Sequence, residues 1–308
     1  MGRVSNFWGR NSSILTSLRG DKVMTMPFRR AFCWKIHTAM ALLFLAIPLA
    51  KAENSAIQWF KDLQQASQAA QQANRPMMID FWADWCAACK VMDASVYNDP
   101  GLITAVGEKL IAVRINFDMQ QDLARRYKVE ALPHLVFTNS YGTELLHHRG
   151  LLEAEGLTAV VRALPADVSE FNRLDRILRE DKNHFEALQS MGRQLSEAGF
   201  YQTGIEYYEK AVKTDQAKRD ASRREAILLA MGSNFLELRD GKKAVSIFER
   251  CGKEFPKSNN RSYFLLGLAQ AQILSEKKEK ARSLLNSLIS QDPASVVSHK
   301  ARELLKSL

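Results

Sequence analysis

The chain has 308 residues and a formal net charge of +9, from 43 Lys and Arg against 34 Asp and Glu. A chain of this length predicts two domains rather than one. Residues 1–52 hold eight basic residues and a single acid, so this segment alone carries +7. The remaining +2 leaves the rest of the chain nearly neutral, and a nucleic-acid partner is therefore not expected.

Residues 1–52 have the pattern of an export signal. Basic residues precede an uncharged, mostly apolar run over 39–50, which ends in a small-x-small site. We expect cleavage after Ala52 and a periplasmic mature protein. The run is shorter than the roughly 20 apolar residues that span a bilayer, so a membrane tether by an uncleaved signal is the weaker alternative. The preceding residues are unusual for a signal, and Met24 or Met26 is a more ordinary start.

The stretch from Asp80 to Lys90 carries the candidate redox site. An apolar run over 76–79 leads into it as a buried strand would, and the residues after Cys89 continue as a helix would. Two cysteines three residues apart at such a junction predict a redox pair. The free N–H groups at a helix start favour a thiolate, so Cys86 is the predicted nucleophile and Cys89 the resolving thiol.

Other uses of the cysteines are less consistent with the sequence. A structural zinc site needs four ligands, and no second pair follows at ligand spacing, so we expect no metal. Cys33 would leave with the signal, and the mature chain would keep three cysteines, an odd number that argues against a framework of structural bridges. Cys251 occupies a small, packed position of a helix and is predicted to be a buried structural thiol.

Residues 53–165 are predicted to form an α/β domain with a central mixed sheet covered by helices on both sides. Asp99 followed by Pro100 is a cap with proline at the first helical position. Beyond the cysteine helix, the pattern predicts a helix to about 109, a strand at 110–117, a helix at 120–127, a hairpin of strands at 135–138 and 144–149, and a closing helix at 153–163.

These motifs resemble thioredoxin, and more closely the C-terminal thioredoxin-like domain of DsbD, the membrane thiol:disulfide interchange protein. The matching stretches are Arg75 to Lys90, Tyr97 to Pro100, and Ala131 to Pro133. The resemblance covers about one hundred residues. It implies the thioredoxin fold and thiol chemistry, with the Cys86 and Cys89 disulfide in place of any other cofactor.

The resemblance also implies roles for individual residues. Asp80 matches a buried carboxyl that relays a proton to and from the resolving thiol, and Pro133 matches a cis proline whose neighbouring backbone pairs with an extended substrate. Trp85 would shield the pair. Trp85, Leu132 and His134 are the candidate substrate-binding residues. From the residues alone, the alternatives are a surface acid at a strand end for Asp80, which the apolar run before it disfavours, and a plain loop proline for Pro133.

The residues around the cysteines bear on the direction of electron flow. Ala87 and Ala88 lack the histidine of strongly oxidising relatives, which favours a reductant or an electron relay over an oxidase or an isomerase. His134 either touches the site and biases its charge near neutral pH or lies on the rim. His147 and His148 point to opposite faces of a strand and make a poor metal pair.

Residues 166–308 are predicted to be helical to the end. Gly204, Ala244 and Ala281 each lie twelve residues before a helix end, at Gln216, Pro256 and Pro293. The pattern resembles tetratricopeptide repeats and predicts a half unit plus three helix pairs stacked as a short solenoid.

The sequence therefore predicts an exported thiol:disulfide oxidoreductase acting on protein disulfides, whose helical repeats dock a protein partner. Because the chain lacks a membrane-spanning electron channel, a reductase role implies a separate membrane electron donor. The rival interpretation is a non-catalytic adaptor or chaperone scaffold that works through the repeats. A disulfide isomerase or oxidase is the other alternative.

Overall fold

The computed structural model describes residues 56–308. Within them the chain forms an α/β domain followed by a helical domain. The strands are β1 (Trp59–Phe60), β2 (Met77–Trp82), β3 (Ile111–Asn116), β4 (His134–Thr138) and β5 (Glu144–Arg149). The helices of the first domain are α1 (Leu63–Ala73), α2 (Ala87–Ala94), α3 (Pro100–Lys109), α4 (Gln121–Arg126) and α5 (Ala154–Ala163), with a short 3-10 helix at Val96–Asn98. The helices of the second domain are α6 (Ser169–Glu180), α7 (Phe185–Glu197), α8 (Tyr201–Lys213), α9 (Asp215–Arg219), α10 (Ala221–Glu237), α11 (Gly241–Glu254), α12 (Arg261–Leu274), α13 (Lys278–Gln291) and α14 (Val296–Lys306).

The five strands form one mixed sheet in the order β1-β3-β2-β4-β5. Strands β1 and β2 run parallel to β3, whereas β4 is antiparallel to both β2 and β5. This confirms the predicted mixed sheet, including the hairpin of β4 and β5. Strand β2 is central, so the residues that follow it are held at the middle of one sheet edge.

The two faces of the sheet are covered by different helices. Met77, Ile79 and Phe81 lie on one face and share a core with α1 and α4, because alternate residues of a strand point to the same side. Met78, on the opposite face, belongs to the core that contains α2, α3 and α5. Asp80 follows the same alternation, which places a carboxyl on this second face.

Local capping fixes the starts of two helices. Asp62 accepts a hydrogen bond from the backbone N–H of Gln65 at the start of α1. Asp99 does the same for Leu102 at the start of α3, where Pro100 occupies the first turn. Both caps satisfy N–H groups that a helix start leaves unpaired. The cap predicted at Asp99 and Pro100 is confirmed.

The second domain consists of helix pairs packed side by side. Helices α7 and α8, α10 and α11, and α12 and α13 form three successive pairs, with α6 before them and α14 after them. This agrees with the predicted half unit and three pairs. The residues that mark the repeat pattern, Gly204, Ala244 and Ala281, are all buried.

Close helix crossings explain why small residues recur in these pairs. A Cβ atom added to Gly192 would lie 2.7 Å from the Tyr208 ring, and one added to Gly232 would lie 2.7 Å from the Phe248 ring. Any larger side chain would push the paired helices apart. Cys251 is fully buried in the same core, and burial raises the pKa of its thiol to about 12, as suits the structural thiol predicted from the sequence.

The two domains share a core. One apolar cluster runs from α3 and α5 into α6 and α7, through side chains that include Leu164, Val168 and Phe171. Asn172 of α6 donates to the Ser140 hydroxyl and accepts from the Ser140 backbone N–H, at 3.1 and 3.3 Å. These contacts lie at the turn between β4 and β5. A domain boundary between 165 and 166 stays a prediction.

The predicted signal segment, including Cys33 and the cleavage site at Ala52, lies outside the described residues. From residue 56 onward, no helix combines the length and the apolar character that crossing a membrane requires.

Candidate redox site

The cysteine pair forms at the junction of β2 and α2. Strand β2 ends at Trp82, and Cys86 is the N-cap residue of α2. The backbone N–H of Cys89 donates to Sγ of Cys86 over 3.1 Å, and the two sulfurs are joined in a disulfide. In the reduced protein this N–H and the helix dipole would stabilise a thiolate on Cys86, because both direct positive charge at the sulfur.

Apolar side chains surround the cysteine pair. Cys86 and Cys89 are 4 and 2 % exposed. The partly buried residues packed against them come from four separate segments: Trp82, Ala88, Phe117 and Leu132. Both cysteines are therefore held in a nearly enclosed apolar environment, and the role of Cys86 as the nucleophile stays a prediction.

Pro133 lies close to the cysteine pair, because the residue before it, Leu132, packs against the cysteines. The Leu132–Pro133 peptide bond is cis. Pairing of Phe81 with His134 across β2 and β4 brings this loop to the end of β2 that leads to Cys86. The backbone N–H of Gly150 donates to the Pro133 carbonyl over 2.8 Å. Contact with a substrate at Leu132 and Pro133 stays a prediction.

Asp80 is almost fully buried, at 1 % exposure. Burial raises the pKa of its carboxyl to about 6, and the opposing charge of Arg114 limits the rise. Oδ2 accepts a hydrogen bond from Nε of Arg114 over 3.0 Å, and the Tyr97 side chain is a further hydrogen-bonding neighbour that lowers the pKa of the carboxyl. The carboxyl lies on the strand that leads into the pair, with a proton affinity suited to a general acid and base near neutral pH.

Arg114 is the part of the site that sequence reasoning missed. Its guanidinium also pairs with Asp93 of α2 at 3.0 Å and lies 4.8 Å from the Trp82 ring centroid, with the rings of Trp59 and Tyr97 within 6 Å. A lone arginine within the apolar strand β3 was the available signal, because a buried carboxyl such as Asp80 requires a charge or a hydrogen-bond partner.

Trp85 is exposed beside the pair. Its side chain is 65 % exposed, and its indole N–H donates to Oδ2 of Asp118 over 2.9 Å. Met119, in the same loop after β3, is 82 % exposed. Trp85 is not among the partly buried side chains that pack against the cysteines. Its indole is held in place by the hydrogen bond to Asp118 and presents an apolar surface beside the pair. A part for Trp85 in substrate binding stays a prediction.

His134 differs from both sequence expectations. It is fully buried in β4, so it is not a rim residue. Burial, with the nearby charges of His147 and Arg149, lowers the pKa of its ring to about 4. The ring is therefore neutral at neutral pH and does not bias the charge of the site. The sequence expectation was wrong because β4 is covered on both faces, so that all five of its residues are buried.

Among residues 56–308, no three His, Cys, Asp or Glu side chains are grouped so as to hold a metal ion. His147 pairs instead with Oε1 of Glu144, at 2.5 Å.

Two family models match this chain. A thioredoxin-like domain model matches residues 63–165, and a tetratricopeptide repeat model matches residues 226–258 and 262–295. The chain combines a thioredoxin-like domain with tetratricopeptide repeats. The matched repeats correspond to the second and third helix pairs, and the resemblance inferred from the sequence is confirmed.

Known relatives match the thioredoxin-like domain. The thiol:disulfide interchange protein DsbD of Salmonella typhimurium is 34 % identical over 110 residues, which cover 34 % of this chain and 19 % of the relative. Thioredoxin 1 of Chlorobaculum tepidum is 43 % identical over 61 residues, covering 20 % of this chain and 57 % of the relative. The solved C-terminal domain of Neisseria meningitidis DsbD in the oxidised form is 24 % identical, with a TM-score of 0.30, and covers 33 % of this chain and 95 % of that chain.

This chain spans about a fifth of the length of the DsbD relatives that it matches. A thioredoxin-like domain with a joined Cys-x-x-Cys pair is the catalytic module of a thiol:disulfide oxidoreductase. Residues 63–165 are therefore assigned to this enzyme class.

Proposed function

We propose that this protein is an exported thiol:disulfide oxidoreductase that works as a reductant or electron relay on protein disulfides, and that its helical repeats dock a protein partner. The observation that carries the proposal is the Cys89 N–H aimed at Sγ of Cys86 at the start of α2. This arrangement favours a thiolate on Cys86, the first cysteine of the pair.

The reaction begins with the reduced pair. The Cys86 thiolate attacks one sulfur of a substrate disulfide, the other substrate sulfur leaves and takes up a proton, and a mixed disulfide forms. Cys89 then gives its proton to the Asp80 carboxylate and attacks Sγ of Cys86. The second substrate thiol is released, and the Cys86–Cys89 disulfide is restored. Two electrons pass from the pair to the substrate. The second substrate sulfur takes up the proton held by Asp80, and the first takes one from solvent, which received the proton that Cys86 lost on ionisation.

Turnover requires a dithiol donor that reduces the Cys86–Cys89 disulfide again. For an exported protein we propose that a membrane protein supplies these electrons, through the same exposed surface around Trp85. The export itself rests on the basic and apolar pattern of residues 1–52.

The helical domain is attached far from the cysteines. Helix α6 contacts the turn between β4 and β5, which lies beside Met77 at the start of β2, whereas the cysteines follow the end of β2. Six residues of strand separate these points by about 20 Å. Helix α6 therefore does not cover Cys86, so a partner docked on the repeats and a substrate at the cysteines would use separate surfaces.

Insulin reduction with a dithiol donor tests the catalytic part of this proposal. We expect the wild-type protein to accelerate the reaction and Cys86→Ala to leave only the uncatalysed rate. The reduction potential of the pair then gives the direction, since a value of about −270 mV is that of a reductant and about −120 mV that of an oxidant. A wild-type protein no faster than Cys86→Ala would leave only a docking scaffold.

A further inference from the structure

A small apolar cavity lies between α11 and α12, in the part of the chain that matches the repeat model. Its volume is about 210 Å³. The lining residues are Phe248, Glu249, Gly252, Arg261, Phe264, Leu265 and Leu268. We call this cavity the α11–α12 slot.

The size of the slot restricts what it can hold. Pockets for small organic ligands typically enclose about 300–1,000 Å³, which is more than the slot offers. A single large side chain is closer to its capacity. Phe248 and Phe264 are buried and form its floor, and the half-buried Leu265 and Leu268 complete an apolar lining. Such a pocket suits one aromatic or aliphatic anchor of a protein partner, the usual centre of an interface.

The charge around the slot is positive. Residues 248–261, which run from the α11 lining to Arg261, contain four Lys and Arg and two Glu, a net charge of +2. Of the two acids, Glu254 is already paired with Arg250 and with Arg224 of α10. Glu225 of α10 accepts hydrogen bonds from Ser258 and Asn260 in the turn between α11 and α12.

Three cations close to the slot remain available. Lys253 follows Gly252 of the lining, Lys257 lies in the turn between the helices, and Arg261 is itself part of the lining. Within residues 56–308 none of the three has an ion-pair partner. Glu249 is the single acid of the lining. The surface is therefore complementary to a negatively charged partner.

We propose that the α11–α12 slot binds an acidic segment of a partner protein, which inserts one large apolar side chain between the two helices while its carboxylates lie against Lys253, Lys257 and Arg261. This inference rests on the proposed docking role of the repeats and names the chemistry of the partner.

Three fluorescein-labelled peptides of equal length test the inference by fluorescence anisotropy with the full chain. The first is acidic with a central Phe, the second has Ala in place of that Phe, and the third has Lys in place of every acid. We expect the first to bind, and to bind at least about tenfold more tightly than the second, since removing a central anchor commonly costs more than about 1 kcal/mol. The third should not bind, and added salt should weaken binding of the first.

Variants of the lining locate the binding. A Cβ atom added to Gly252 would meet no atom within 4 Å, so the fold tolerates a side chain there. Gly252→Leu should fill the slot and abolish binding, whereas Gly252→Ala should largely keep it. Arg261→Glu should weaken binding about tenfold or more, whereas Lys182→Glu, a matched charge reversal in the exposed turn before α7, should leave it unchanged. Circular dichroism confirms that each variant is folded.

The inference is overturned if the acidic Phe peptide does not bind at about 1 mM, binds no better than its Ala or Lys counterpart, or binds Gly252→Leu as well as wild type. Insulin reduction separates this from failure of the catalytic proposal. Gly252→Leu should reduce insulin at the wild-type rate, because none of the residues that line the slot packs against the cysteines.

Discussion

Nε of Arg114 lies 3.0 Å from Oδ2 of Asp80, and this ion pair joins β3 to the strand that leads into the cysteines. Burial raises the pKa of the Asp80 carboxyl, and Arg114 holds that pKa to about 6. The carboxyl therefore exchanges protons in the range in which a protein thiol must be deprotonated. Ionisation of Asp80 lowers the free energy of unfolding, but it supplies the carboxylate that we propose accepts the Cys89 proton.

Asp80→Asn should stabilise the fold at neutral pH. The folded pKa of about 6 exceeds the ordinary value of 3.8, so folding disfavours the ionised form. The wild-type free energy of unfolding therefore has its full contribution from Asp80 below about pH 3.8. It falls by up to about 3 kcal/mol as the pH rises through 6. We expect a higher free energy of unfolding for Asp80→Asn in urea at pH 7.5 but not at pH 4.

The exposed Asp84→Asn is the matched control, and it should change the unfolding free energy little at either pH. An equal effect of Asp80→Asn at both pH values would show that folding does not raise the pKa of Asp80.

Arg114→Met should shift the pH dependence of mixed-disulfide resolution. Without the guanidinium, burial acts on Asp80 unopposed, so the pKa of the carboxyl rises further and the rate midpoint moves to higher pH. Arg114→Lys keeps the charge and should shift the midpoint less. Stopped-flow measurement of the resolving step across pH 5 to 9 tests this. The surface variant Arg125→Met is the control and should leave the midpoint unchanged. A midpoint that stays in place in Arg114→Met would contradict the prediction.

Much of this site could be predicted from the sequence because its parts are local. Cys86 and Cys89 lie one helical turn apart at a strand–helix junction, and Asp99 with Pro100 marks a helix start within the same short segment. Such patterns depend on neighbouring residues alone. The repeat pattern was detectable for a similar reason, since close helix crossings require a small residue at a fixed offset.

The remaining parts depend on contacts between distant segments. Arg114 pairs with Asp80 across two strands and with Asp93 across a strand and a helix, and no spacing in the sequence encodes this. His134 was misplaced because its burial depends on distant segments that cover both faces of β4, in which all five residues are buried. The seam between Ser140 and Asn172 joins residues 32 positions apart.

His134 should make the protein sensitive to acid. Its pKa is lowered from 6.5 to about 4, so folding favours the neutral ring. The resulting stability is fully present above pH 6.5 and is lost as the pH falls towards 4. His134→Leu should therefore lose less stability than wild type between pH 7 and 4.5 in urea unfolding. The control variant His299→Leu, at an exposed position, should lose as much stability as the wild type over this pH range. If His134→Leu also loses as much as the wild type, the prediction is refuted.

Asn172→Ala should weaken the contact between the two domains that Asn172 and Ser140 form. The change leaves the buried Ser140 N–H without its acceptor, which costs about 1–3 kcal/mol. Because the apolar core is continuous across the seam, we expect the wild-type protein to unfold in one transition and Asn172→Ala to unfold at a lower urea concentration. Asn286→Ala, on the exposed face of α13, should change the midpoint little. Two separate wild-type transitions would mean that the domains are stable independently.

The most direct test of the central claim is to trap the mixed disulfide. Reduced Cys89→Ser is mixed with insulin, quenched in acid and digested, and the peptides are identified by mass spectrometry. We predict a covalent adduct on Cys86 that accumulates in Cys89→Ser, resolves in the wild-type protein and is absent from Cys86→Ser. If no adduct forms on Cys86, or if Cys86→Ser traps insulin equally well through Cys89, Cys86 is not the nucleophile.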